Sequence, residues 1–254
     1  MKHYEKLIDL GCFSRSDIAT YLGNDATAAS LLHNYLKKGY IERVRTDLYT
    51  VISLETHQPV YNRYQIGAML FPDAAISHHS TFEVFGYANQ VFNEVYVATG
   101  SRFHDFEYNG VSYHRVLLRP GIRMDAAPRF RHTDLEQTLI DSIADFEKIA
   151  GLEETLRCLM LIPALDEQIM IEILTRRQNG FLWQKCGYIL SQFNREFHLT
   201  HAFFDACKAH IPGGKRALQK ESTAPFIWDT EWQLFVPRSL QSIVEKGVNE
   251  SDGV

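Results

Sequence analysis

The chain has 254 residues, 45% hydrophobic and 22% charged. That suits one large globular domain or two modest ones, and it excludes a mostly disordered chain, a collagen and a coiled-coil rod. Lysine plus arginine number 26 against 31 aspartates and glutamates, so the net charge of −5 excludes a general nucleic-acid coat and a polybasic membrane binder.

The elements read in order as follows. Tyr4 to Leu10 is expected to be a short helix ended by Gly11. Ser14 should cap a second helix, Ser16 to Leu22, ended by Gly23. Asn24 should cap a third, Asp25 to Lys38, ended by Gly39. Tyr40 to Arg45 and Leu48 to Ile52 are β-branched and aromatic runs around Thr46-Asp47, which predicts a hairpin. The polar stretch Ser53 to Val60, with Pro59, is the expected domain boundary. Beyond it, Tyr64 to Phe71 and His78 to Phe85 read as helices. Glu94 to Ala98 and Phe106 to Leu118 read as strands, the latter broken by the turn dipeptide Asn109-Gly110. Thr133 to Glu136 fits a capping box for a helix reaching Asp145. Helices are expected near Leu152–Leu161, Asp166–Arg177, Phe181–Phe193 and His201–His210. Pro225 to Pro237 should be strand-like, and Glu245 to Val254 a frayed tail.

The expected class is therefore α+β. Residues 1–55 form a winged helix-turn-helix, and residues 60–254 form a larger domain with a small antiparallel sheet and a helical C-terminal part. No segment has the apolar length of a membrane span. Met1 to Asp9 lacks the apolar core of a signal peptide. Cys12, Cys158, Cys186 and Cys207 form no CxxC pair. A reduced, cytoplasmic protein without membrane contact is the simplest expectation.

Charge is uneven. Residues 1–55 hold seven basic and seven acidic side chains, so residues 56–254 supply the whole −5. Between Ala26 and Thr46, Lys37, Lys38, Arg43 and Arg45 face Glu42 alone. On a helical wheel of 3.6 residues per turn, Ala28, Leu31, Leu32, Tyr35 and Leu36 share one side of the third helix. Ala26, Ser30, His33, Asn34 and Lys37 share the other, with Thr27 and Lys38 on the flanks. A winged helix presents such a face to the major groove and its hairpin to the backbone. Asn34 suits an adenine edge, and Lys37 and Lys38 suit phosphates. Strand alternation would aim Arg43 and Arg45 at one surface. The expected partner is double-stranded DNA, read through Thr27, Ser30, His33, Asn34, Lys37, Lys38, Arg43 and Arg45.

Several segments resemble AbiEi-type antitoxins of abortive-infection toxin–antitoxin pairs. They are Ser30-Leu31-Leu32, Lys38 to Ile41 and Leu48-Tyr49-Thr50; Ile76 to Gly86; Val91 to Val97; Thr133 to Asp141; and Trp232 to Pro237. The resemblance implies an antitoxin that represses its own operon at inverted repeats and counteracts a nucleotidyltransferase-type toxin. These systems are described as type IV, in which the two proteins need not form a stable complex. Two positions depart from the family pattern. Asp47 stands where a glycine usually precedes the wing's Leu-Tyr, and Gln137 stands where an arginine usually precedes Thr-Leu-Ile-Asp.

Other clusters invite chemistry. Ser77-His78-His79-Ser80 with Glu83, and His198, His201, Cys207 and His210, could belong to a metal-dependent hydrolase. Their spacing matches no established metal signature, and core packing explains them more simply. A scaffold with a degenerate winged helix is a further alternative. Arg115, Arg119 and Arg123, with Arg102, Arg129 and Arg131, could form a second basic surface, though a solvated sheet face balanced by the acidic helices downstream explains them better. No GxSxG, HExxH, Walker A or GxGxxG motif is present, so neither catalysis nor a cofactor is expected.

Overall fold

In a computed structural model, residues 3–125, 130–220 and 225–244 are described. The chain is α+β and divides into two compact units. The first comprises residues 1–80, 92–119 and 124–132; the second comprises 81–91, 120–123 and 133–254. The boundary expected between residues 55 and 60 therefore does not separate units. The winged helix belongs to the same unit as the sheet that follows it.

The order α1 (Tyr4–Leu10), β1 (Cys12–Phe13), α2 (Arg15–Leu22), α3 (Asp25–Lys37), β2 (Ile41–Arg45), β3 (Leu48–Val51) is that of a winged helix. Its punctuation is chemical. Ser14 and Asp17 close a reciprocal capping box at α2. Gly23, at φ 70°, supplies the left-handed residue that ends α2 and lets Asn24 cap α3 one residue later. Asp47 takes φ 54° in the wing turn, a left-handed backbone that aspartate tolerates. The two-residue β1, too short to read from sequence, pairs antiparallel with β3, so β3 is central in a three-stranded sheet. Leu7, Ile18, Ala28, Leu32, Ile41 and Val51 fill the core beneath it.

Residues after the wing tie back to it. The Tyr4 hydroxyl donates to the Ile52 carbonyl at 2.7 Å and the Tyr61 hydroxyl to the Ile8 carbonyl at 2.5 Å. The Tyr108 hydroxyl donates to Glu42 at 2.9 Å. These bonds explain why the polar stretch 53–60 is a loop within one unit rather than a linker.

Next come α4 (Arg63–Ala68), β4 (Ala75–Ile76), α5 (His79–Phe85), β5 (Glu94–Thr99), β6 (Phe106–Tyr108), β7 (Val111–Leu117), β8 (Met124–Asp125) and β9 (His132–Thr133). Six strands form one sheet, ordered β6-β7-β5-β4-β9-β8. β6 and β7 form the antiparallel hairpin that Asn109-Gly110 announced, both turn residues having positive φ. β4 and β5 are also antiparallel, but β5 runs parallel to β7 and β4 parallel to β9. The sheet is mixed. α4 lies against it through Gly67, where a Cβ would sit 2.9 Å from Ile76 and 3.0 Å from Val95. Arg129 and the tail 245–254 fall outside the described residues.

The second unit is mainly helical: α6 (Leu135–Ala144), a 3-10 turn at Phe146–Ile149, α7 (Leu152–Leu161), α8 (Glu167–Arg177), α9 (Gly180–Gln192), α10 (Asn194–Phe197) and α11 (His201–Ala209). Three short strands follow: β10 (Arg216–Ala217), β11 (Phe226–Asp229) and β12 (Leu234–Pro237), with β12 central. Asp134, not Thr133, caps α6, accepting from the Gln137 amide at 2.8 Å. The Thr133 hydroxyl is instead 2.6 Å from that of Thr138.

α9 is the spine of this unit, with Trp183, Cys186, Ile189 and Leu190 all buried. Gly187 sits beneath the Trp232 ring. An added Cβ would collide with that ring and lie 2.8 Å from Cys207 Cβ. Overpacking a well-filled core costs about 1–3 kcal/mol. Gly187→Ala should therefore lower the midpoint of thermal unfolding, and an unchanged midpoint would show that Trp232 swings aside freely.

Candidate nucleic-acid interface

The apolar side of α3 is where the wheel places it, with Ala28, Leu32 and Tyr35 buried and Leu31 and Leu36 half-buried. The opposite side is exposed at Thr27, Ser30, His33, Asn34 and Lys37. Two of these residues serve the helix itself. The Thr27 amide and hydroxyl both bond the Asn24 side-chain oxygen, at 2.9 and 3.1 Å. The Ser30 hydroxyl donates to the Ala26 carbonyl at 3.0 Å. His33, Asn34 and Lys37 lie along the exposed side within four residues, and among the described residues their side chains meet no bonding partner. The start of the helix is small and its middle polar, so backbone and side chains can both approach a groove. The Lys38 ammonium lies 5.9 Å from the Tyr40 ring.

The wing separates the two arginines that alternation would pair. A register shift between Arg43 and Arg45 interrupts the β2–β3 ladder. Arg43 stays exposed, 5.6 Å from the centre of the Tyr49 ring and 3.5 Å from its hydroxyl. Arg45 turns into the unit. Its guanidinium stacks over Phe71 at 4.5 Å, with Phe103 and Phe106 at 5.8 and 6.0 Å. Burial lowers its pKa from the ordinary arginine value. Arg45 is thus a packing residue, and the expectation that it shares a surface with Arg43 is corrected.

Sequence reading passed over Arg15. This first residue of α2 pairs through its guanidinium with Asp25, Nε to Oδ1 being 2.8 Å. Its amide donates to Asp47 Oδ1 at 3.1 Å. The two acids nearest the start of α3 and the wing turn are therefore both engaged by Arg15. The signal for it, a basic residue just after a cap serine, is too common to have singled it out.

Three arginines of the expected second basic surface are engaged locally. Arg115 donates to the Ser101 carbonyl at 2.6 Å and approaches the Thr99 and Gly100 carbonyls. Arg123 pairs with Asp134 at 2.5 Å and reaches Glu172 at 3.8 Å. Arg131 donates to the Pro72 carbonyl. Arg119 is exposed. Arg115 and Arg119 belong to the first unit and Arg123 to the second.

No family model matches the sequence, and no curated protein matches it. A crystal structure of the RV2827C protein from Mycobacterium tuberculosis is similar to this chain, with a TM-score of 0.61 and 12% sequence identity. The likeness covers 94% of this chain and 90% of that one. At that identity it speaks to the fold alone.

His78 precedes α5 with φ 54°, its Nδ1 3.1 Å from the Ser77 hydroxyl. His79 opens the helix against Phe92, ring centres 4.3 Å apart. His198 and His201 are exposed, His210 stacks on Trp183 at 4.4 Å, and Cys207 is fully buried under Trp232. These last four residues do not converge on one point, and no metal-holding group among the described residues contains them.

All four cysteines have raised pKa values, chiefly through burial. The Cys12 and Cys207 thiols are pushed up to about 12, and those of Cys158 and Cys186 are also raised. The thiolate is the nucleophile, and a pKa near 12 leaves about 10⁻⁴ of a thiol ionised at pH 8. Iodoacetamide should thus leave the buried Cys158, Cys186 and Cys207 unlabelled in the native protein, with half-buried Cys12 at most slow to react, while alkylating all four in urea. Fast native labelling, read by mass spectrometry, would contradict this burial.

Proposed function

We propose that this chain is a DNA-binding antitoxin that represses its own operon, with α3 and the wing as the reading surface. The observation that carries the DNA-binding reading is the exposed face of α3. His33, Asn34 and Lys37 are exposed on a helix whose other side is locked into a core, and Lys38 and Arg43 are exposed as well. A helix that is buried on one side and polar on the other is the part that enters the major groove in winged helices. Lys37, Lys38 and Arg43 would hold phosphates, Asn34 and His33 would read base edges, and small Ala26 and Ser30 would let the helix approach closely. Arg45 has no part in that surface.

The antitoxin half of the proposal rests on the resemblance to AbiEi-type proteins along the chain. Its functional partner would be a nucleotidyltransferase-type toxin, with no stable complex required, and its DNA sites would be inverted repeats before its own gene. The chain would then act in the cytoplasm without enzymatic activity of its own. Among the described residues no helix is long and apolar enough to cross a membrane.

The test is footprinting on the DNA upstream of the gene, paired with growth rescue of cells that express the neighbouring gene. Protection over a repeat and rescue of growth are the expected results. No protection at any upstream sequence would remove the repressor reading, and no rescue would remove the antitoxin reading.

A further inference from the structure

The second unit contains a cavity of about 1080 Å³. Its wall comprises the stretch from Ala144 to Gly151 around the 3-10 turn, Phe181 and Lys185 of α9, and the segment from Arg216 to Lys220. Small-molecule pockets run from roughly 300 to 1,000 Å³, so the space suits a ligand rather than a few waters.

Three cations line it: Lys185, Arg216 and Lys220. Phe181 and Lys185 lie four apart on α9 and so share a face. Lys185 is only 8% exposed. Its ammonium lies 4.2 Å from the centre of the Phe146 ring and 5.3 Å from that of Phe181. The Arg216 guanidinium lies 5.3 Å from the same Phe181 ring. One aromatic ring therefore holds both positive charges.

Two carboxylates, Asp145 and Glu147, line it as well, each with a lysine beside it. Asp145 pairs with Lys148, and Glu147 with Lys220 at 3.7 Å. Among the described residues, neither Lys185 nor Arg216 forms an ion pair, although Asp145 favours the charged form of Lys185 from a distance. Lys185 has three N–H donors, and among those residues it spends one, on the Ile143 carbonyl at 3.1 Å. Burial lowers its pKa below the usual lysine value. An anion between these two positive charges would satisfy donors that the protein leaves open.

We propose that this cavity binds a small aromatic anion, its phosphate or carboxylate bridging Lys185 and Arg216 and its flat ring against Phe146 and Phe181. A nucleoside monophosphate and an aromatic carboxylic acid both carry this chemistry. The site does not depend on the operator reading, because its test measures ligand binding directly.

Calorimetric titration of the full-length chain with adenosine monophosphate, indole-3-acetate and uncharged adenosine tests it. One of the two anions should bind at one equivalent, and adenosine at least about tenfold more weakly than adenosine monophosphate if the nucleotide is the ligand. Preference for the nucleotide or for the indole acid identifies the source of the anion. Lys185 is buried, so its replacement could disturb folding; Arg216 is exposed and serves as the probe. Arg216→Gln, checked for an unchanged unfolding midpoint, should lose about tenfold in affinity. The proposal is overturned if neither anion saturates the protein below about 5 mM. It is equally overturned if Arg216→Gln binds as tightly as the parent chain.

Discussion

Asn34→Ala combined with Lys37→Ala should cut operator affinity by about two to three orders of magnitude and leave the unfolding midpoint within a degree or two. A side chain that reads a base edge contributes about 1–3 kcal/mol of discrimination, and a phosphate contact adds its own electrostatic part. Both residues are exposed and bond to no other side chain among the described residues, so their loss removes nothing from the fold. The two wing arginines sharpen the test. Arg43→Gln should weaken binding and reduce the slope of log affinity against log salt by about 0.9, the value of one phosphate contact. Arg45→Gln should leave that slope alone and lower stability, because its guanidinium packs on Phe71 rather than facing solvent. If Arg45 shifted the slope and Arg43 did not, the register of the wing would be misassigned. Fluorescence anisotropy at three salt concentrations suffices to separate the cases.

Arg177→Leu should destabilise the second unit by about 3–5 kcal/mol, the usual cost of removing one partner from a buried ion pair. Asp141 on α6 is 4% exposed. Arg177, at the end of α8, comes within 3.2 Å of its Oδ1, and Gln137 donates to Oδ2 at 3.0 Å. The leucine would leave a buried carboxylate without the cation that the fold sets beside it. Replacing both residues, Asp141→Asn with Arg177→Leu, should recover part of the loss, since it removes the stranded charge as well. Urea unfolding reads both. Full additivity of the two substitutions would mean that the pair is not coupled. At position 137 glutamine hydrogen-bonds to the carboxylate, and α8 supplies the charge.

Local chemistry was legible where one residue decides one event. Gly11, Gly23, Asn24 and Asn109-Gly110 each fix a boundary through their own backbone preferences, and the structure has those boundaries. The buried side of α3 followed from periodicity alone. What was hidden depends on partners distant in sequence. The parallel pairing of β5 with β7 has no signature in either strand, since it arises from the path of the chain between them. Alternation placed Arg43 and Arg45 together, but the irregularity between them is created by pairing with β3. Arg115 and Arg123 looked like free charge because their carbonyl and carboxylate partners lie 11 to 16 residues away or beyond. The candidate face on α3 was thus readable in full, the wing only in half, and the lined cavity of the second unit not at all. Its walls come from three stretches of chain that nothing in the sequence brings together.

The aromatic seat under Arg45 limits how the proposed DNA-reading module could be exchanged. A winged helix cut out at residue 55 would leave behind Phe71, Phe103 and Phe106, which cover the guanidinium, and Tyr61 and Tyr108, which bond its helix and wing. Domain shuffling that swapped only the first 55 residues would bare an arginine on one side and three rings on the other. A new operator specificity is therefore easier to reach by point changes along the exposed face of α3 than by trading the whole head.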